Sequence, residues 1–499
     1  MFLARDRLGI KPLHYAVLAG KSLVFGSEIK AILQDESVPR RVDFEALSQF
    51  LSFVYVPAPR TAFLDIKKLP PAHTLTCDRH GVRLREYWDV SYAYEEERSE
   101  DWYAEQLYDL LKETVRGHLL SDVPLGAFLS GGVDSSSIVG LMREVITGPL
   151  VTSSIGFAEE QYNELPHARL AANRFHSQHH EHTVAPEIEH LIPLLVWSFD
   201  EPYADSSAIP TYYVSKTARE HVTVTLSGDG GDELFAGYRR FEMERIEHRL
   251  RRSLGPCLRA FRLLSLLPAN LHFTGRNSLE SLLYPPDQAC ARKHYTIMYP
   301  THRLQELLSP EFRDRLKGFH LAAEFHDYYR RARVRPGDWL SPALYVDMKT
   351  YLADDILTKV DRMSMAVSLE TRPPLLDHKV VEFVARIPPR LKLTGNTRKY
   401  IFKKSMARLV PPEILARPKQ GFSMPLPEWL PTRLRPITED LLFGQTARSR
   451  GYFNKTEVER MWHELCAGRF DYSHHLWELM LIELWHRKYI DDSRPPCRD

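Results

Sequence analysis

Cysteine is scarce in this chain of 499 residues, and the few cysteines form no pattern. They are spread singly, without a CxxC pair, at Cys77, Cys257, Cys290, Cys466 and Cys497. Disulfide frameworks are typical of short chains dense in cysteine, and cysteine-based zinc sites need paired cysteines. The sequence therefore argues against both classes and predicts buried, reduced thiols, as in a cytoplasmic protein.

Long apolar runs and an excess of either charge are also missing. No apolar stretch reaches the ~18 residues that a membrane-spanning helix needs. Lysine and arginine number 66 against 65 aspartates and glutamates, which leaves a formal net charge of +1. Such a balance gives no overall attraction to nucleic acid or to an anionic membrane. We expect neither as a partner.

The pattern of apolar residues changes along the chain. Residues 1–90 are typical of short strands, and the acidic stretch YAYEEERSED (92–101) is typical of a linker. From about residue 122, short apolar runs alternate with helical periodicity, which predicts an α/β domain with a parallel, doubly wound sheet. Beyond residue 240 the pattern predicts helices as far as the C-terminus. The length allows two or three domains.

The most informative string is FLSGGVDSSS (128–137), in which an apolar strand enters a glycine turn and a helix follows. Glycines allow the backbone to turn tightly and to point several N–H groups at one anion. The positive end of the helix dipole adds to this attraction, so the pattern favours a phosphate site. The lysine of a Walker A loop is absent. An ordinary capped turn is the alternative.

A second string, LSGDGGDELFAGY (226–238), also follows an apolar strand. It places Asp229, Asp232 and Glu233 among glycines. Clustered carboxylates repel one another unless a cation neutralises them, and Mg²⁺ takes one or two carboxylates together with phosphate oxygens. The string therefore predicts a magnesium site beside the phosphate site, with a solvated acidic turn as the alternative.

The first string resembles the PP-loop of the N-type ATP pyrophosphatases, and the two strings together resemble the synthetase domain of the glutamine-dependent asparagine synthetases. Three further stretches extend the resemblance over nearly the whole chain: DEPYADSSAIPTYYVS (200–215), LADDILTKVDRMSMAVSLETRPPLLD (352–377) and RPKQGFSMP (417–425). The resemblance implies the C-terminal remnant of an Ntn-type α/β/β/α glutaminase domain at 1–92. A PP-loop ATP pyrophosphatase domain with a helical C-terminal part is implied at 101–490.

The resemblance also implies roles for individual residues. ATP and Mg²⁺ would be the cofactors, with aspartate and ammonia as the other small-molecule partners, in a possible homodimer. Asp134 and Asp232 would hold Mg²⁺ through pyrophosphate, and Lys419 and Asp229 would be catalytic. The other residues implied to bind ATP or pyrophosphate are Leu129, Ser130, Gly131, Gly132, Ser135, Ser136, Ile155, Ser227 and Gly228.

The implied reaction is attack of the β-carboxylate of aspartate on the α-phosphate of ATP, followed by displacement of AMP by ammonia. Asp229 departs from the best-known members, which carry glutamate there, and the SGDGGDE string is similar to bacterial relatives with other amide products. The same adenylation of another carboxylate, as in β-lactam synthetases or surface-glycan amidotransferases, is therefore an alternative. A PP-loop tRNA-modifying enzyme and a non-catalytic ATP-binding homologue are more distant alternatives.

The opening residues, FLARDRLGIKPLHY, resemble the last third of the family's glutaminase domain. In that family the residue after the initiator methionine is the catalytic cysteine, whereas Phe2 stands here and Cys77 falls in a later strand pattern. We therefore expect a domain truncated at its N-terminus, without a glutaminase nucleophile and with an exposed apolar face. Ammonia would be the nitrogen donor.

Two weaker patterns have structural alternatives. In HHEH (179–182), His180 and His182 would share one face of a strand and could bind a metal, although ordinary strand packing is favoured. Basic clusters near 245–252 and 329–335 could contact RNA, although exposed helical faces are favoured.

Overall fold

The computed structural model describes most of the chain. The described residues are 1–18, 22–93, 98–184, 189–254, 281–295, 301–418, 421 and 424–492.

Residues 1–90 form two small antiparallel sheets and two helices. Their bounds are β1 Phe2–Ala4, β2 His14–Val17, β3 Leu23–Gly26, α1 Ile29–Ile32, α2 Phe44–Phe53, β4 Ile66–Lys68, β5 His73–Asp78 and β6 Gly81–Glu86. The strand orders are β1-β5-β6 and β3-β2-β4. A small apolar cluster, centred on Tyr15, Leu69 and Leu75, draws residues from both sheets.

Both sheets expose apolar side chains to solvent, as expected from the sequence. Phe2 is 66% exposed, and Val17, Phe25 and Leu84 are exposed as well. Elsewhere the segment is buried against the rest of the chain: Phe53 of α2 stacks on Phe325 with ring centroids 4.5 Å apart. The apolar residues of α2 therefore belong to the main core of the molecule.

The main sheet has five strands, all parallel, in the order β11-β10-β7-β8-β9. This confirms the α/β class and the parallel sheet predicted from the alternating pattern. The elements are α3 Glu100–His118, β7 Leu125–Phe128, α4 Val133–Val145, β8 Val151–Phe157, α5 Leu165–Phe175, β9 Gln178–Val184, α6 Leu191–Phe199, α7 Ala208–Arg219, β10 Val224–Leu226, α8 Gly231–Phe235 and β11 Glu370–Arg372.

The order of the strands reverses between β7 and β10. The chain runs outward from β7 through β8 and β9, and then returns to β10 on the other side of β7. Right-handed crossovers put the connections on opposite faces of the sheet, so a cleft opens at the carboxyl ends of the two strands where the direction changes. Both glycine-rich strings lie at this point, because one follows β7 and the other follows β10.

The prediction of helices alone beyond residue 240 is wrong at strand β11. Its three residues, Glu-Thr-Arg, pair in parallel with Val224–Leu226 at the edge of the sheet. A strand this short has no room to show an alternating pattern, and a helical segment precedes it. A two-stranded ribbon, β12 Leu393–Thr394 with β13 Thr397–Arg398, is a second exception.

The remaining described helices cover the sheet and join the two parts of the molecule, and none is long and apolar enough to cross a bilayer. The α-helices are α9 Arg239–Leu254, α10 Pro286–Tyr295, α11 Thr301–Leu307, α12 Pro310–Arg315, α13 Ala323–Arg331, α14 Ser341–Asp347, α15 Leu357–Met365, α16 His378–Ala385, α17 Pro389–Lys392, α18 Tyr400–Met406, α19 Pro412–Ala416, α20 Leu426–Trp429, α21 Arg435–Phe443, α22 Gln445–Arg450, α23 Lys455–Cys466 and α24 Ser473–Trp485. Two π-helices (Met348–Ile356 and His486–Ile490) and two 3₁₀-helices (Glu160–Tyr162 and Pro374–Leu376) complete them.

Helix α24 carries a carboxyl group in the core. Glu478 is fully buried, and its oxygens have no hydrogen-bond partner in the described part of the chain. Burial therefore raises the pKa of Glu478 well above its usual range, which favours the protonated form in the folded protein. The unfolded chain releases this proton above about pH 4.3, so the free energy of unfolding falls as the pH rises from there towards the folded pKa.

We predict that Glu478→Gln stabilises the protein increasingly as the pH rises, because glutamine stays neutral in both states. The difference in free energy of unfolding from the wild type should widen as the pH rises above about 4.3 towards the folded pKa, by up to about 1.4 kcal/mol per pH unit. Urea denaturation at several pH values measures it, with the exposed Glu413→Gln as control. A difference that does not change with pH would contradict a protonated Glu478.

Candidate active site

The first glycine-rich loop, residues 129–132, joins β7 to α4. Gly131 has φ +70°, and a Cβ atom there would lie 2.3 Å from the carbonyl carbon of His167. Glycine is therefore required for the loop to pass beneath α5. The backbone N–H of Ser130 donates to Oγ of Ser135 at 3.2 Å, which ties the loop to the first turn of α4. The first N–H groups of this 13-residue helix point towards the cleft end of β7.

The second loop, which follows β10, packs directly against the first. A Cβ atom at Gly231 would lie 2.6 Å from Cγ of Asp134, and one at Gly228 would lie 2.9 Å from Cβ of the same residue. A Cβ atom at Gly237 would lie 1.8 Å from Oδ1 of Asp232. The glycines of the second string thus allow the two acidic loops to approach each other at van der Waals distance.

Lys399 joins the two loops electrostatically. Its Nζ atom lies 2.5 Å from Oδ2 of Asp134 and 2.6 Å from Oδ1 of Asp232, and its side chain is buried. The residue precedes α18 in the left-handed conformation, with φ +55°. One ammonium group therefore holds two carboxylates from the first turns of α4 and α8, of which Asp232 is buried and Asp134 half-buried.

Glu233 follows Asp232 and is buried with it. Burial, together with the negative charge of Asp232, raises the pKa of Glu233 to about 7. The hydroxyl of Tyr238 donates a hydrogen bond to Oε1 of Glu233 at 2.5 Å. This carboxyl can hold or release a proton near neutral pH.

A second set of charges lies around Lys359, on α15. Its Nζ atom lies 2.7 Å from Oδ2 of Asp205 and 2.7 Å from Oγ of Ser207. Burial would lower the pKa of Lys359, but the charges of Asp205 and Asp355 outweigh it and raise the pKa. Burial, and then Asp205, raise the pKa of Asp355 well above its usual range, while Tyr203 donates a hydrogen bond to its carboxylate.

The two charged sets and both loops line one cavity of about 880 Å³. Ten of the residues predicted from the sequence line it: Leu129, Ser130, Gly132, Asp134, Ser135, Ile155, Ser227, Gly228, Asp229 and Asp232. Two others lie behind the lining: Gly131 is packed against α5, and Ser136 is fully buried on α4. Lys419, the predicted catalytic lysine, lies outside the described residues.

Arg417 anchors the segment before Lys419 to the first glycine-rich loop, residues 129–132. The guanidinium of Arg417 donates to the carbonyl oxygen of Ser130 at 3.2 Å and to Oε1 of Glu164 at 2.7 Å. Glu164 immediately precedes α5, the helix that packs on Gly131. Arg417 therefore links the first glycine-rich loop to the start of helix α5, which packs on that loop.

The histidine string 179–182 is engaged in packing. His180 stacks on His221 with ring centroids 3.5 Å apart, and His182 stacks on Tyr213. The ring of His179 is within hydrogen-bond distance of Oγ1 of Thr152, at 2.8 Å. Within the described ranges, no group of three or more histidine, cysteine, aspartate or glutamate side chains could hold a metal.

The sequence did not assign Lys399, Asp205 or Lys359 to the site. Asp205 and Lys359 lie within two of the stretches that resemble the family, so the stretches themselves pointed to them. Lys399 has no such signal, because it lies 265 residues from Asp134 in a string, TRKY, that is typical of an exposed turn.

Comparison with known families and proteins agrees with this geometry. The asparagine synthase family matches residues 106–487, and the glutamine amidotransferase domain matches residues 1–88. Asparagine synthetase (glutamine-hydrolyzing) 1 of Bacillus subtilis is 31% identical over 508 residues, which cover 99% of this chain and 76% of the relative. Asparagine synthetase (glutamine-hydrolyzing) 3 of the same organism is 29% identical, over 85% of this chain and 64% of the relative.

Two further similarities are more distant. Amidase chyE of Penicillium rubens is 25% identical over 91% of this chain and 71% of its own length. The solved structure of NMN synthetase from Francisella tularensis aligns over 56% of this chain and 99% of that chain, at 13% identity and a TM-score of 0.22, too low to support an argument. The match to the synthase family covers most of the chain, and the glycine-rich loops and acidic residues that the resemblance marked line one cavity. The chain therefore belongs to the asparagine synthase family, whose members are ligases that use ATP to form carbon–nitrogen bonds.

Proposed function

We propose that this protein converts aspartate to asparagine, through a β-aspartyl-AMP intermediate and with release of AMP and pyrophosphate. The observation that carries the proposal is the meeting of two glycine-rich loops at the strand-order reversal, where Asp134 and Asp232 share one buried lysine at the wall of the cavity. ATP would bind with its phosphates on the loop that precedes α4, where N–H groups and the helix dipole favour anions. The adenosine would lie by Leu129, Ile155 and Ser227.

Magnesium fits the donor set at the phosphate end. Asp134, half-buried, and Asp232, buried, offer two carboxylates within reach of a single cation, since one ammonium already contacts both. Mg²⁺ is usually bound by one or two carboxylates plus phosphate oxygens. When bound, Mg²⁺ would supply positive charge to the phosphates as the α-phosphate is attacked.

Fixed cations of the chain itself would stabilise the negative charge that develops in this step. Attack by a carboxylate on the α-phosphate concentrates charge on the phosphoryl oxygens and on the leaving pyrophosphate. Lys399 lies at the phosphate end, and Lys419 keeps the role that its motif predicts. The buried walls of the cavity would limit hydrolysis of the acyl-adenylate by water.

The acceptor would occupy the other charged set. Lys359 offers an ammonium that can pair with a carboxylate, and Asp205 and Asp229 offer carboxylates that can receive an ammonium. A small amino acid that carries both groups suits this arrangement. Asp229 lines the cavity and is one methylene shorter than glutamate, which favours adenylation of a different carboxylate as the second candidate.

Ammonia is the proposed nitrogen donor for this chain. The single cysteine of residues 1–92, Cys77, lies inside strand β5, and its side chain packs at the small apolar cluster between the two sheets. We assign no glutaminase role to this half-buried thiol, because it lies within a strand beside apolar side chains.

We predict that the protein releases pyrophosphate from ATP when aspartate and ammonium are both supplied, and that asparagine and AMP form in equal amounts. Coupled pyrophosphate detection and amino-acid chromatography measure this. Asp232→Asn should lower the rate by two orders of magnitude or more, because the proposed magnesium site loses a charge (about 3 kcal/mol). Turnover independent of aspartate would reject the primary proposal in favour of another carboxylate.

Glutamine should not replace ammonium in this assay. The expected result is asparagine formation with ammonium chloride at pH 8 and none above background with glutamine, and no glutamate released from glutamine alone. The Cys77→Ser variant should behave as the wild type does. Glutamate release by the wild type would contradict the proposed donor.

We predict that Lys399→Met makes the protein depend on Mg²⁺ for stability. Removing the ammonium leaves the buried Asp232 carboxylate facing the half-buried Asp134 carboxylate, so the free energy of unfolding should fall by about 3 kcal/mol without metal. Millimolar Mg²⁺ should restore more stability in the variant than in the wild type, because lysine no longer competes for the same oxygens. Thermal unfolding with and without Mg²⁺ tests this, with Lys317→Met, on an exposed ion pair, as control. Equal responses to Mg²⁺ would argue against these carboxylates as its ligands.

A further inference from the structure

The segment that supplies Lys399 carries a second lysine one helical turn further on. Helix α18 begins at Tyr400, and the backbone N–H of Lys403 donates to the carbonyl oxygen of Lys399 at 2.8 Å. Lys403 lines the same cavity as Lys399, the phosphate loop and Asp134. The two side chains therefore approach the phosphate end of the cavity from one element.

The surroundings of Lys403 differ from those of its neighbours. Burial and the nearby charges of Lys399 and Arg398 lower the pKa of Lys403, and Asp134 opposes them only in part. No ion pair or hydrogen bond of its ammonium group occurs with any residue the structure describes. Lys404, on the other side of the helix, pairs with Glu100 and Asp101. Arg398 pairs with Glu242.

A half-buried cation among other cations is unfavourable unless an anion joins it. At the phosphate end, the Lys399 ammonium contacts both Asp134 and Asp232, so these three side chains together carry a net negative charge. A polyphosphate entering this place would be repelled by that charge. Lys403 supplies a positive charge that has no ion pair with the described residues.

We propose that Lys403 binds the β- and γ-phosphates of ATP and holds pyrophosphate as it leaves. The proposal rests on the proposed function and assigns a catalytic residue to it. In the adenylation step, a carboxylate oxygen bonds to the α-phosphorus as the bond from phosphorus to the bridging oxygen breaks. The electron pair stays on that oxygen, so the leaving pyrophosphate gains one negative charge. The Lys403 ammonium donates a hydrogen bond to pyrophosphate and keeps its proton.

Comparing the affinities for pyrophosphate and for AMP distinguishes this role from a general effect on the site. AMP lacks the phosphates that Lys403 would contact. Titration calorimetry with inorganic pyrophosphate and Mg²⁺, and separately with AMP, would be performed on the whole chain. Lys403→Met should weaken pyrophosphate binding roughly tenfold to a hundredfold, as for the loss of one charge-assisted hydrogen bond. AMP affinity should change less than about twofold.

The controls lie on the same helix. Lys404→Met removes a lysine that faces away from the cavity and should leave both affinities unchanged. Lys403→Arg should restore most of the pyrophosphate affinity. Lys403→Gln, which keeps a polar tip, gives a second test if the methionine variant folds poorly, as thermal unfolding would show.

The results that would contradict these expectations distinguish the role of Lys403 from the proposed function. Unchanged pyrophosphate affinity in folded Lys403→Met or Lys403→Gln overturns the role of Lys403 and leaves the proposed function standing. An equal loss of AMP and pyrophosphate affinity also overturns it, because it indicates a general disturbance of the site. A wild-type protein that binds neither pyrophosphate nor ATP contradicts the proposed function itself, and the role of Lys403 with it.

Discussion

The contact of the Lys399 ammonium with Asp134 and Asp232 is the interaction on which the cavity depends. The two carboxylates come from loops that follow adjacent parallel strands, and the glycines beside them leave no space between the loops. Without a cation, carboxylates this close would repel each other in a buried environment. Lysine therefore allows the phosphate end to keep its shape before a ligand arrives, and magnesium would compete for the same oxygens.

The acceptor end uses the same physical arrangement. Lys359 pairs with Asp205, and burial together with Asp205 raises the pKa of Asp355 beside them. In both places one lysine of the protein forms ion pairs with the acidic groups around it. Binding of charged ligands then becomes an exchange of partners, in which the desolvation of the protein's charges has already taken place.

The sequence predicted the parallel sheet and most of the cavity, because both depend on local patterns. Alternating apolar runs mark β7, β8 and β9, and glycine with serine or aspartate marks the two loops that end at the strand reversal. Strand β11 escaped prediction, since three residues at a sheet edge carry no period. Lys399 escaped because its role arises from a contact between segments 265 residues apart. The raised pKa of Glu233 depends on burial, which no short string encodes.

The shared core of the molecule has a consequence for how the two parts can vary. Phe53 packs on Phe325, and Lys68 pairs with Glu201 at 2.7 Å, so residues 1–90 supply part of the surface on which the ligase part folds. Substitutions at these positions are constrained by folding, whatever chemistry the segment carries. Substitutions in residues 1–90 are then tolerated only on the side that faces solvent, because the inner side packs against the rest of the same chain.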